Sequence, residues 1–224
     1  MDFDDIAHLY DAWFKTPLGA YVDLWEKRLT WDVAEPRKGE TVLDIGVGTA
    51  NYVSDLRTLG VKAYGIDVSV PMLHVALEKA RRAPFFLEVT EARAEALPFK
   101  DASFDLVMSI TALEFVPDPQ QAVAEMRRVC RPGGRIVVSV LNKWSLWAAR
   151  RRLISFLKRT IFSECRFYSG PEIKRLFGTA TYHTCVFAPP KCPAPLIPIF
   201  DRLEPVLQKR LRPFGAYLVV RVDV

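Results

Sequence analysis

From Thr41 onward, short and nearly continuous apolar runs alternate with stretches whose apolar positions recur every three or four residues. The runs are TVLDIG, KAYGID, FFLEVT, FDLVMSI and GRIVVSVL, and the stretches between them lie near residues 50–60, 70–82 and 119–131. Runs without polar alternation suit strands covered on both faces, and strands separated by helices suit a parallel sheet. Two helix starts are marked chemically. Ser69 precedes Val70-Pro71, and Asp118-Pro119-Gln120-Gln121 sets a capping side chain, a first-turn proline and a glutamine in order. RPGG, residues 131–134, then stops the helix before the next run.

The two ends depart from that rhythm. Residues 3–33 read as two amphipathic helices broken near KTPLG, where Thr16 can cap and Pro17 suits the first helical position. After the fifth run comes a basic, tryptophan-containing helix over about 143–160, then SGPEIKRLF, in which Ser169 and Glu172 make a capping box. A strand in TYHTCVFA, a proline-rich loop, a helix over about 199–211 and the run AYLVVRVDV follow. The last strand comes after a long excursion and is expected to pair antiparallel. No linker separates two domains, so one domain is expected.

Composition narrows the class. The 224 residues are 50% hydrophobic and 25% charged, which suits a soluble globular chain. No apolar run approaches the roughly 18–20 residues needed to cross a bilayer, and the acidic start MDFDDIAHLYDAWF reads as neither a signal nor a transit peptide. A cytoplasmic location is expected. The net charge of +5 is uneven: residues 143–160 hold Lys143, Arg150, Arg151, Arg152, Lys158 and Arg159 without an acid. That patch is either a solvated helix face or a contact for an anionic partner such as a membrane surface. The four cysteines form no C-x-x-C pair, and His183, Cys185 and Cys192 match no zinc spacing, so reduced thiols and no metal are expected.

The turn TVLDIGVGTANY carries the chemistry. Glycines at the carboxyl end of a strand let the main chain approach a ligand closely. A pyrophosphate calls for a third glycine, and Asn51 stands there instead, which disfavours a dinucleotide. Asp44, two residues before Gly46, suits a cationic group. Asp67 ends the second run, 19 residues after Gly48, where an acid can accept both hydroxyls of a ribose.

The blocks VLDIGVGTA, GIDVSVPML, ARAEALPFKDASFDLV, LEFVPDPQQAVAEMRRVCRPGG and RIVVSV together resemble class I S-adenosylmethionine-dependent methyltransferases, nearest the ubiquinone- and menaquinone-biosynthesis group. The resemblance covers about residues 37–141. It implies a Rossmann-like α/β fold with a seven-stranded, mostly parallel sheet, a reversed last strand and helices on both faces. Within it, 1–34 would be lid helices, 35–142 the cofactor-binding core, 143–178 a helical insertion over the substrate and 179–224 the closing strands. S-adenosyl-L-methionine would be held by Gly46 and Gly48 at its methionine part, with Ser109 and Ile110 alongside. Asp67 would take the ribose, Val68 and Met72 the adenine face, and Ala94 an adenine nitrogen with Glu95 beside it. FDDIAHLYDAWF resembles the family's lid helix and places Tyr10 near the sulfonium. Arg93 departs from the family, which often carries aspartate there.

Methyl transfer from a sulfonium needs alignment and exclusion of water more than acid–base chemistry. Glu114 and His8 are the candidate bases for an acceptor that must lose a proton. Trp13, Phe14, Asn142, Trp144 and Trp147 are expected around a small apolar or lipid-like acceptor, with the 143–160 helix as either lid or membrane contact. The aromatic block of base-amine methyltransferases is missing, so no nucleic-acid partner is expected. A non-catalytic cofactor-binding module and a nucleotide-dependent oxidoreductase are the rival readings.

Overall fold

The computed structural model describes residues 3–8, 10–83, 85–178 and 181–224. Its helices are α1 (Phe3–Ile6), α2 (Pro17–Ala34), α3 (Val70–Arg82), α4 (Pro119–Val129), α5 (Leu146–Leu157), α6 (Gly170–Phe177) and α7 (Ile197–Arg210). Its strands are β1 (Thr41–Ile45), β2 (Lys62–Asp67), β3 (Leu87–Glu91), β4 (Phe104–Ile110), β5 (Cys130–Leu141), β6 (His183–Cys185) and β7 (Tyr217–Asp223). Among the described residues these strands form one sheet in the order β3-β2-β1-β4-β5-β7-β6. The first five pair in parallel, while β7 runs antiparallel to both β5 and β6. The expected doubly covered sheet with a reversed last strand is therefore present.

The side-chain period of two splits the central strands between two cores. Val42, Leu106, Met108 and Val137 point to the side of α2 and α3, against Tyr21, Trp25, Leu29 and Leu73. Leu43, Val107, Ile136 and Val138 point the other way, against Ala122, Val123 and Met126 of α4 and Ile173 of α6. A buried ion pair fastens α2 to the sheet. Arg135 of β5 reaches both carboxylate oxygens of Glu40 at 2.8 and 2.9 Å and the carbonyls of Ala34 and Glu35 at the helix end.

Several elements are smaller than their patterns suggest. The first N-terminal helix is the single turn α1 followed by a 3₁₀ segment, Tyr10–Lys15. Residues 53–59 are also 3₁₀, because VSDLRTL is rich in residues that disfavour an α-helix and Gly60 closes it at φ +60°. The strand expected in TYHTCVFA keeps three residues, since Val186 at φ +67° turns the backbone out of the ladder. RPGG is not a stop outside the strand but the irregular start of β5, with a register shift against β4 between Phe104 and Leu106.

Candidate active site

β1 leads into a turn in which Gly46 and Gly48 have φ of +77° and +51°. Gly46 is fixed twice over, because a Cβ there would stand 2.3 Å from the Ala112 Cβ. A Cβ on Gly48 would meet nothing within 4 Å, so the main chain here faces open space. The amides of Gly46 and Val47 both donate to the Ile66 carbonyl, at 2.8 and 2.9 Å, which pins the turn to the end of β2.

Asp67 accepts from the Gly48 amide at 2.8 Å and the Ser69 amide at 2.9 Å, one on each oxygen. The Val68 amide adds a third backbone hydrogen bond to the same carboxylate. Asp44 is 2% exposed and its Oδ1 has no partner among the described residues. Burial, reinforced by the nearby Asp67, pushes the Asp44 carboxyl up to about 7. A buried carboxylate without a partner is costly, and this one opens on a cavity.

The N-terminal segment closes over the turn. Asp11 accepts from the Thr49 hydroxyl at 2.8 Å and pairs with Lys79 of α3, whose ammonium also donates to Thr49 at 3.0 Å. Asp4 accepts from the Ser69 hydroxyl, so a second latch ties α1 to the start of α3.

Between these parts lies a cavity of about 300 Å³. Tyr10, Phe14, Asp44, Gly46, Gly48, Asp67, Val68, Met72, Ala94, Glu95 and Ile110 line it. His8 is exposed and away from it, and Ser109 is buried in β4 behind it. Glu114 is 1% exposed and off the cavity wall; its Oε1 accepts from the Leu141 amide, tying the ends of β4 and β5 together. The Asn142 amide is used up by the carbonyls of Pro213 and Gly215. Trp13 and Trp147 pack edge-on at 6.4 Å, the Trp147 indole donates to the Ala188 carbonyl, and Trp144 is 46% exposed. The geometry thus gathers the expected donor-side residues except Ser109 and leaves both candidate bases, and all the proposed acceptor residues except Phe14, off the cavity wall.

The cavity adds residues that the sequence reading omitted. Glu26 and Tyr52 line it, as do Thr111, Ala112 and Phe115 after β4. Arg93, at the family's aspartate position, also lines it and bonds Glu95 at 3.2 Å. Glu26 left a signal: it sits one turn after Val22 and before Leu29 and Thr30, on the buried stripe of α2, where an acid is out of place.

Residues 43–138 match the family model of a methyltransferase domain. The chain is 36% identical over 161 residues to a demethylmenaquinone methyltransferase of Beutenbergia cavernae, covering 72% of this chain and 65% of the relative. It is 37% identical over 146 residues to the ubiquinone/menaquinone biosynthesis C-methyltransferase UbiE of Hahella chejuensis, covering 63% and 58%. The matches therefore span just under two thirds of these relatives' own lengths. In fold it is similar to an S-adenosylmethionine-dependent methyltransferase of Thermotoga maritima, with a TM-score of 0.70 at 23% identity over 98% of this chain and 96% of the other. With a strand order that reverses at β1, a glycine turn at that switch point and this domain match, residues 43–138 carry a methyltransferase domain and the chain is similar to the class I S-adenosylmethionine-dependent methyltransferases.

Proposed function

We propose that the chain transfers a methyl group from S-adenosylmethionine to a small, apolar acceptor. The observation that carries this reading is the Asp44 carboxylate, buried, without a partner at Oδ1, and opening on the same cavity as Asp67 and the Gly48 main chain. A nucleoside with an amino-acid tail answers all three features. Asp44 faces the ammonium, the Asp67 carboxylate accepts the ribose hydroxyls, and the bare backbone at Gly48 admits the tail. Val68 and Met72 pack the base, and the Ala94 amide reads its edge, with Arg93 and Glu95 held to each other.

Bound there, the cofactor supplies an electrophilic methyl group on a positively charged sulfur. The chain aligns and shields. Tyr10, Phe14 and Phe115 present aromatic rings to the cavity, which favours a cation and excludes water. Val116 and Pro117 continue an apolar wall that suits an apolar acceptor. Asn51 at the third glycine position disfavours the oxidoreductase reading.

Calorimetry with S-adenosylmethionine, then turnover of the radiolabelled donor with a cell extract, tests this. Donor binding with labelled product is expected. Donor binding without product from any extract would favour the non-catalytic module, and binding of a nicotinamide dinucleotide instead would favour the oxidoreductase.

A second reading concerns where the acceptor comes from. Of the α5 residues only Ala148 is buried, while Leu146, Leu153, Phe156 and Leu157 are 64–88% exposed beside Arg150 and Arg152. No helix among the described residues is long and apolar enough to cross a membrane. Such a helix suits the surface of an anionic bilayer, with its apolar side chains inserted and its cations at the headgroups. Phe156→Ser with Leu157→Ser should abolish cosedimentation with phosphatidylglycerol vesicles. Unchanged partitioning would leave α5 as a substrate lid.

A further inference from the structure

Glu26 is a cavity-wall carboxylate that the donor assignment above does not use. It stands on α2 and shares the cavity with Tyr10, Phe14, Asn51 and Tyr52. Because α2 packs on β5, β6 and β7, it lies across β1 from Asp67, which ends β2. That puts it on the side of the cavity away from the proposed ribose site. Its Oε2 accepts one long hydrogen bond, 3.3 Å from the Tyr52 hydroxyl. Oε1 remains available to a ligand.

Its surroundings suit a base. Burial pushes the Glu26 carboxyl up to about 8, against the pull of Arg151 on α5 and of the Tyr52 hydrogen bond, and with Asp23 and Glu114 adding to the rise. Tyr10, Tyr217 and Cys185 complete the titratable groups that face it. A base with that value holds a proton more firmly than an ordinary carboxylate and still works near neutral pH. Arg151 also pulls toward ionisation at Tyr10. Burial, with the Glu26, Asp11 and Asp67 carboxylates, outweighs that pull and keeps the Tyr10 hydroxyl protonated, so a hydroxyl beside it must hand its proton to a neighbouring base to ionise.

We propose that Glu26 takes the acceptor's proton, and that the acceptor therefore carries an ionisable hydroxyl on, or conjugated to, the atom that is methylated. The inference rests on the methyltransferase reading above. The O–H bond breaks and its proton passes to Glu26 Oε1. The electron pair left on the acceptor forms the new bond to carbon, directly from oxygen or through the conjugated atom, and the carbon–sulfur pair leaves with sulfur. Glu114 keeps one buried oxygen without a partner among the described residues but lies off the cavity wall, and His8 is exposed and also off it, so neither reaches an acceptor in the cavity.

The test has two arms. In ligand-free protein labelled with carboxyl-13C glutamate, one resonance missing from Glu26→Gln should titrate near 8. In Tyr52→Phe it should move to higher pH, because the bond that favours the charged form is gone. With radiolabelled S-adenosylmethionine and a chloroform–methanol extract of bacterial cells, Glu26→Gln should lower kcat by roughly 10²–10⁴-fold. It should leave donor affinity unchanged by calorimetry and lose the rising limb of kcat/KM against pH, while Glu26→Asp recovers part of the rate. A Glu26 resonance in the ordinary carboxylate range, or product formed equally fast by wild type and Glu26→Gln, overturns this inference alone. Donor binding with no product from the wild type overturns the methyltransferase reading and this inference with it.

Discussion

Asp44, Glu26 and Glu114 carry carboxyls pushed up by burial to about 7, 8 and 7. In the unfolded chain such groups titrate near about 4, so the folded state holds more protons between those limits. Their burial is least costly at low pH, and stability should fall as pH rises through about 4 to 8. Asp44 adds a consequence for binding. Its carboxyl must ionise to face an ammonium, so donor affinity should rise as pH passes through 7, and Asp44→Asn should flatten that dependence in calorimetry. Asp67→Ala should weaken donor binding by about 1.5–3 kcal/mol, the worth of hydrogen bonds to a charged group, with the fold intact by circular dichroism. Unchanged affinity would contradict the ribose assignment. The placement of Asp67 was legible because its distance from the glycine turn is a local count. The surroundings of Asn142 were not legible for the opposite reason: the carbonyls of Pro213 and Gly215 that its amide meets lie over seventy residues away in the chain.

At the scale of elements, helix starts were the most legible features. Ser69 accepts from the Met72 amide, Asp118 from that of Gln121, and the Ser169–Glu172 box is formed. These caps depend on side chains three residues apart, which the sequence displays directly. The shrunken strand β6 depends on a positive φ at Val186 that no local pattern announces. Joints between elements were also hidden. Glu40 reads as an ordinary loop acid, yet with Arg135, 3% exposed, it closes the gap between α2 and β5. Removing one partner leaves a buried charge alone, so Glu40→Ala should cost about 3–5 kcal/mol, read as a lower urea midpoint. A midpoint within error of wild type would show that water compensates Arg135. The Asp11–Thr49–Lys79 latch is such a joint at the site itself, and it holds the N-terminal segment over the cavity.

For the molecule as a whole, the proposed donor end and the proposed acceptor end differ in how they are built. The donor end comes from the tips of β1 and β2 and the turn after β3, within the span 43–138 that matches the methyltransferase domain. Its order in the chain mirrors its order in space, so its residues could be placed from motifs. The proposed acceptor end is assembled from the Tyr10–Lys15 segment and α2, which precede that span, and from the loop after β4, which lies within it. Packing of α2 on β5, β6 and β7 brings Glu26 there, and only the sheet order reveals it. The central claim is that this switch-point cavity holds an S-adenosyl nucleoside between Asp44 and Asp67. A crystal structure of the protein with S-adenosylhomocysteine measures that most directly. The account predicts density running from Asp67 and Met72 at the sugar and base to Asp44 at the amino group; a cavity filled by the protein's own side chains, or the nucleoside bound elsewhere, would contradict it.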